Sequence, residues 1–305
     1  MEITSGMVKE LREKTGAGLM DCKAALVSAD GDMEKAIDAL RTKGLAAAAK
    51  KSSRIASEGL VVAHIEDNCG TLVEVNCETD FVAKNEEFAS MARDFAAQVN
   101  TKAPVDVDEA LMIQLNNATL EEMLTEKIAK IGEKLSFRRF ERFCVPKGAG
   151  LIASYIHMGG KIGVLVALEG VGPENEAVTA LAKDIAMQVA AANPTYICRD
   201  DVPASVVEHE KMIYKEQAKA SGKPDNVLDK IATGKLEKFF GDFCIIEQAF
   251  IKDPDKKVGQ LLSEAGKAAG KEITIKSFAR FQVGEGMEKR SDDLAAEVAK
   301  QIERS

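Results

Sequence analysis

The 305-residue sequence predicts an α+β protein, and three observations carry that prediction. Residues 4–45 have helical periodicity, the pattern turns to β alternation from Leu60, and one hairpin–helix–helix–strand unit with antiparallel strands occurs twice. The length suits about two domains. With 46% hydrophobic and 30% charged residues the chain is core-forming, and 5% aromatics with no Trp fits abundant helix.

Residues 4–45 read as three short helices. The first runs from about Ser5 to Lys14, with Met7, Val8 and Leu11 at helical spacing, and stops at Thr15-Gly16-Ala17-Gly18. Asp21 is a candidate cap for a second helix carrying Cys22, Ala25 and Leu26. Gly31-Asp32 ends that helix and caps a third, which carries Met33, Ile37 and Leu40. So small a unit has little core of its own. Leu19 and Met20 either close that core or face solvent. The Ala/Lys/Ser-rich stretch Gly44–Ser57 reads as a linker with a helical start.

Leu60–Ile65 and Thr71–Asn76 are β-type runs, and the intervening Glu66–Gly70 makes them a hairpin. A helix follows from about Glu86 to Val99, striped by Phe88, Met91, Ala92, Phe95 and Val99, and Leu135–Phe143 again alternates. Phe88–Val99 matches Val178–Val189 at an offset of 90, with five identities in twelve positions. Upstream, Gly59-Leu60 and Ile65 correspond to Gly150-Leu151 and Ile156. Downstream, Gly132, Phe140, Arg142 and Phe143 match Gly270, Phe278, Arg280 and Phe281 at an offset of 138. The second copy therefore holds about 48 extra residues between Val189 and Val258. Val206, Val207, Glu210 and Ile213 begin one helix there, Ser221-Gly222-Lys223-Pro224 breaks it, and Val227, Leu228, Ile231 and Leu236 mark a second. This helical hairpin, at about 200–242, buries its apolar seam against itself or another protein. After Gly284–Gly286, Ser291–Ile302 forms a tail helix whose thin stripe of Leu294, Val298 and Ile302 needs a docking surface. The domains so drawn are 1–54, 55–145, 146–283 and 284–305.

Charge and motif narrow the function. Lys and Arg number 41 against 49 Asp and Glu, a net −8, which argues against a protein that coats nucleic acid. Residues 1–54 are slightly basic, with ten cationic side chains against eight acidic ones. No apolar run reaches membrane-spanning length and the N-terminus has no signal-peptide core, so a cytoplasmic protein is expected. Six cysteines (Cys22, Cys69, Cys77, Cys144, Cys198, Cys244) lie scattered without a C-x-x-C pair, and free, mostly buried thiols are expected rather than zinc or disulfides. His64, His157 and His209 fall in three different elements. No H-E-x-x-H, G-x-S-x-G or Walker A sequence occurs, and Gly159-Gly160-Lys161-Ile162 lacks the spacing of a phosphate loop. Cys77 would need a base and an electropositive pocket to act as a nucleophile. The run Glu74–Lys84 stands out instead, because a strand there ends in a turn presenting Thr79, Asp80, Phe81 and Val82. Phe81 either docks locally or projects as an aromatic anchor for a partner.

Two stretches carry a resemblance. Leu11–Leu26 (LREKTGAGLMDCKAAL) closely resembles the N-terminal signature of the bacterial translation elongation factor Ts family, and Glu74–Lys84 resembles its second signature, centred on Thr-Asp-Phe-Val. Ile156–Gly163 and Glu247–Ile251 also look familial, and the resemblance covers the whole chain. It implies a small ubiquitin-associated-like three-helix N-terminal domain, a duplicated α/β core, a coiled-coil insert and a C-terminal helical module. The implied function is guanine-nucleotide exchange on elongation factor Tu, without enzymatic catalysis, cofactor, metal, nucleic acid or membrane. By resemblance, Asp80 and Phe81 enter the partner's GTPase domain near its Mg²⁺ and phosphates, while Thr79 and Val82 shape the turn. Arg12, Leu19, Met20 and Lys23 match the stretch that contacts the same GTPase domain. The His157 turn resembles the part that grips the partner's third domain, the tail helix resembles a part that docks on the GTPase domain, and the helical hairpin is a possible homodimer contact. A binding adaptor without exchange activity and a thiol-dependent enzyme are the competing readings.

Overall fold

The computed structural model describes residues 3–15 and 17–288. The tail helix expected over Ser291–Ile302 lies outside the described residues. Helices alternate with small antiparallel sheets in a mixed α+β architecture, and the chain divides into two units. One comprises Met1–Val62, Val73–Phe140 and Gln282–Ser305; the other comprises Ala63–Leu72 and Glu141–Phe281.

The first unit begins with α1 (Ser5–Thr15), α2 (Leu19–Ser28) and α3 (Met33–Lys51), packed around Val8, Leu11, Cys22, Ala25, Leu26 and Ala36. Asp32 caps α3 by accepting from the Glu34 and Lys35 amides, both at 3.1 Å. Asp21 does not cap α2: the cap position is Gly18, and Asp21 sits in the first turn, where its charge suits the helix dipole and pairs with Lys43 at 2.5 Å. The linker expected from Gly44 is helical as far as Lys51. Its alanines favour helix, and that extension packs on α7 (Leu120–Ile131), with Gly44 buried and Arg41 paired to Glu122.

Strands β1 (Glu58–Glu66) and β2 (Cys69–Cys77) follow, joined by only Asp67 and Asn68. Asp67 sits at φ 51°, the left-handed conformation a two-residue hairpin turn demands and an Asp tolerates. Then come α4 (Asp80–Ala83), α5 (Glu86–Lys102), α6 (Val107–Leu111), the short pair β3 (Gln114–Leu115) and β4 (Ala118–Thr119), α7, and β5 (Ser136–Cys144). Phe88, Met91, Phe95 and Val99 of α5 bury completely or nearly so against β2, α7 and Phe137.

The same order recurs as β6 (Gly150–His157), β7 (Ile162–Glu169), α8 (Glu176–Ala192), α9 (Ala204–Ala220), α10 (Asp225–Phe243), β8 (Ala249–Phe250), β9 (Asp253–Lys257), α11 (Val258–Ala269) and β10 (Thr274–Gln282). The two three-stranded sheets have orders β1-β2-β5 and β6-β7-β10. Helices α5 and α8 are offset by 90 residues at both ends, and α7 to α11 and β5 to β10 by 138. The likeness extends to the caps. Asn85 and Asn175 open the long helices, Ala103 and Asn193 close them in left-handed conformation, and Gly132 and Gly270 close α7 and α11 likewise. An alanine at φ 53° is held by its surroundings rather than by preference.

Helices α9 and α10 pack on each other. Their large buried side chains (Leu236, Phe239, Phe240) gather at the base with Val202 and Cys244. Arg199 braces that base, pairing with Glu237 and Glu247 while its guanidinium lies 4.6 Å from the Phe240 ring centre.

The cysteine expectation fails at two positions. Cys69 and Cys144 are joined in a disulfide, while Cys22, Cys77, Cys198 and Cys244 are free. Cys69 opens β2 and Cys144 closes β5, so pairing of neighbouring strands juxtaposes thiols that are 75 positions apart in sequence. Sequence spacing holds no trace of that.

Candidate functional site: an exposed aromatic turn on a fixed frame

The run after β2 becomes a single helical turn, α4, and each side chain has a distinct environment. Val82 and Ala83 face the core formed by α5, β2 and Phe137. Phe81, one position earlier, is turned the other way and is 82% exposed. Consecutive helical positions differ by about 100°, so burying Val82 and Ala83 leaves Phe81 facing solvent. Local docking of Phe81, one of the two readings open from the sequence, does not occur. Asp80 pairs with Lys84 at 2.7 Å across one turn, and both are partly to well exposed.

Thr79 caps this turn. Its hydroxyl accepts from the Val82 amide at 3.4 Å and donates to the Glu133 carboxylate at 2.7 Å. The same carboxylate accepts the Glu78 and Thr79 amides at 3.1 and 3.0 Å. In return the Glu78 carboxylate accepts from the Lys134 amide at 2.6 Å and from Arg54 at 3.1 Å. Residues 78–79 and 133–134 are thus stitched by reciprocal carboxylate–amide pairs. The buried Cys77 thiol donates to the Thr79 carbonyl at 3.1 Å, which fits a packing role rather than a nucleophile.

In the N-terminal helices, Arg12, Leu19, Met20 and Lys23 are all exposed. Leu19 is 54% and Met20 73% accessible, so they do not close the three-helix core; Cys22, Ala25 and Leu26 do. At the end of α1 the Thr15 hydroxyl donates to the Leu11 carbonyl at 2.7 Å and accepts from the Ala17 amide at 3.4 Å.

His157 ends β6, paired opposite Ile162 of β7. The turn runs through Met158, Gly159 and Gly160, all at positive φ, and leaves Met158 70% exposed. Tyr155 lies two residues back on the same strand face, its hydroxyl 3.0 Å from His157 Nδ1 and its ring stacked on the imidazole at 5.7 Å. The Thr79–Val82 turn and the N-terminal residues belong to one unit and the His157 turn to the other.

Sequence reasoning missed Glu133, Glu78, Arg54 and Tyr155. Tyr155 was findable from the period-2 rule. Glu133 carried no local signal, because its partners are 54 and 55 residues away.

Among the described residues, no group of three or more His, Cys, Asp or Glu could hold a metal ion, and no helix is long and apolar enough to cross a membrane. Phe81 and Met158 stand exposed on turns, and Leu19 and Met20 on the first turn of α2. The sequence model of the family described as "Elongation factor TS" matches residues 78–285. Elongation factor Ts of Syntrophotalea carbinolica is 52% identical over 301 residues, covering 98% of this chain and 99% of that relative. The chain belongs to the elongation factor Ts family. Membership makes it a guanine-nucleotide exchange factor of protein biosynthesis, acting on elongation factor Tu, and not a catalytic enzyme.

Proposed function

We propose that this chain releases GDP and Mg²⁺ from elongation factor Tu by inserting the Asp80–Phe81 turn beside the partner's metal and phosphate site. The observation that carries this reading is the orientation of Phe81, a large aromatic held out in solvent on a turn whose backbone is fixed. A rigid wedge spends little conformational freedom on entering a partner, so more of its contact energy goes into displacing partner groups. Phe81 separates apolar elements of the partner. Asp80 redirects polar groups around the metal, and Thr79 and Val82 keep the turn in shape.

Exchange requires no bond-making. If the factor weakens GDP and Mg²⁺ binding by some ratio, these ligands weaken factor binding by the same ratio. The factor therefore needs contacts made only with the opened partner. Arg12, Leu19, Met20 and Lys23 supply a second contact on the GTPase domain, from an N-terminal three-helix domain of ubiquitin-associated type spanning 1–54. His157 and its turn supply a third contact, on another partner domain, from the second core repeat. In this assignment the core repeats are 55–145 and 146–283, 284–305 is a docking module, and α9–α10 is a coiled coil able to pair two copies. The reading needs neither cofactor nor nucleic acid, and the chain works in the cytoplasm.

The test is release of fluorescent GDP from elongation factor Tu, followed by stopped flow with saturating factor. Phe81→Ala should slow the accelerated release by at least about tenfold, a loss of about 1.4 kcal/mol of transition-state stabilisation, with the fold unchanged. Unaltered release would remove the wedge. Tight association of the wild-type chain with no acceleration would favour an adaptor.

A further inference from the structure

We infer that Glu133 is a positioning residue for exchange, its carboxylate holding the backbone from which Phe81 is presented. The inference rests on the wedge reading above. Gly132 ends α7 in left-handed conformation at φ 84°, and the chain it turns delivers Glu133 to residues 78–79. An ionised carboxylate only accepts, and here it takes three donors: the Glu78 amide, the Thr79 amide and the Thr79 hydroxyl. The last has a directional consequence. A hydroxyl whose proton is committed to Glu133 offers its lone pairs elsewhere, and the Val82 amide lies at 3.4 Å to use one. The chain of donation runs from Val82 to Thr79 to Glu133, so one carboxylate sets both the entry of α4 and its cap. Charge-assisted bonds of this kind are the stronger ones. Phe81, with 82% of its surface exposed, has little packing of its own to hold it.

Glu133 and its partners are only partly buried, so water can replace the carboxylate and the fold survives its loss. What is lost is the fixed presentation of the ring. The experiment compares Glu133→Ala, Glu133→Gln, Phe81→Ala and the Glu133→Ala/Phe81→Ala double variant of the full chain. The readout is stopped-flow release of fluorescent GDP from elongation factor Tu across factor concentration. Glu133→Ala should lower the maximal release rate roughly tenfold, as Phe81→Ala does, because the ring is no longer held in place for entry. Glu133→Gln keeps one carbonyl acceptor and should recover part of that rate. In the Phe81→Ala background, Glu133→Ala should cost nothing further. Amide hydrogen exchange at Thr79 and Val82 should quicken in Glu133→Ala, with melting otherwise unchanged. If Phe81→Ala is slow while Glu133→Ala matches wild type, the positioning role fails and the wedge stands. If Phe81→Ala matches wild type, the wedge itself fails. An equal factor lost with and without Phe81 would show that Glu133 acts by another route and overturn the inference. Should Glu133→Ala unfold, the Gln variant carries the same comparison.

Discussion

Phe81 and Phe95 have the same side chain and opposite duties. Phe95 is fully buried, its ring 5.4 Å from that of Phe137 and enclosed by β2 and α7. Truncating it removes transfer energy and leaves a cavity, so Phe95→Ala should destabilise by about 3–5 kcal/mol in urea unfolding. Phe81→Ala should shift stability by under about 0.5 kcal/mol in the same experiment, as surface changes do. The pair thereby separates folding from function. A destabilisation by Phe81→Ala as large as that by Phe95→Ala would mean that Phe81 docks on its own chain. Helical spacing in the sequence identifies Phe95 as core. It leaves Phe81 open, because the choice depends on which neighbour, Phe81 or Val82, the core of α5 and β2 accepts.

Among the elements, β2 carries a feature that no periodicity announced: Glu74 is fully buried in the middle of a strand. It binds Arg138 at 2.9 Å and Arg139 at 2.6 Å, both on β5, and accepts the Gly284 amide at 2.9 Å. Gly284 is required there: it sits at φ 69°, and a Cβ would come within 2.3 Å of the Ser57 carbonyl oxygen. Burial pushes the Glu74 carboxyl up, but the Gly284 amide and the two guanidiniums outweigh it and hold it below the usual carboxylate range. A carboxyl with a depressed folded pKa contributes stability above its unfolded value, here near 4.5, and loses it as pH falls through the folded value. Glu74→Gln should therefore lower stability by about 3 kcal/mol at neutral pH, the cost of stranding partly buried arginines. It should also flatten the loss of stability below pH 4.5, measured by unfolding at stepped pH. An acid limb as steep as that of wild type would place the titrating group elsewhere. α3 teaches a related lesson. Its Ala-rich end looked like linker because its buried face is made of small residues fitted to α7, and such a face leaves no apolar stripe.

For the molecule as a whole, the clearest long-range constraint is the Cys69–Cys144 disulfide, spanning 75 residues. In the chain-entropy account, a loop of that size stabilises by up to about 4 kcal/mol through restriction of the unfolded chain. Thiol titration of the denatured protein should count four reactive cysteines without reductant and six with it. Reduction should lower the unfolding free energy by about 2–4 kcal/mol. Six thiols without reductant would refute the bond. The duplication, by contrast, was legible from sequence, down to an offset that shifts from 90 to 138. Helix caps and apolar stripes are set by neighbours within a few positions, and each copy wrote them again.

The same distinction divides the candidate site. The sequence by itself determined the three N-terminal helices, the repeat, the inserted helical hairpin and the run that carries Phe81, because hydrogen bonds and side-chain faces at separations of two to four residues are written in short windows. Only the tertiary structure decided that Phe81 stands in solvent, that Glu133 braces the turn beneath it and that Cys69 meets Cys144. The Glu133 and Cys69 contacts join chain segments 54 to 75 positions apart, and the orientation of Phe81 depends on which neighbour the core of α5 and β2 accepts; packing and strand pairing settle such contacts and leave no local pattern to read.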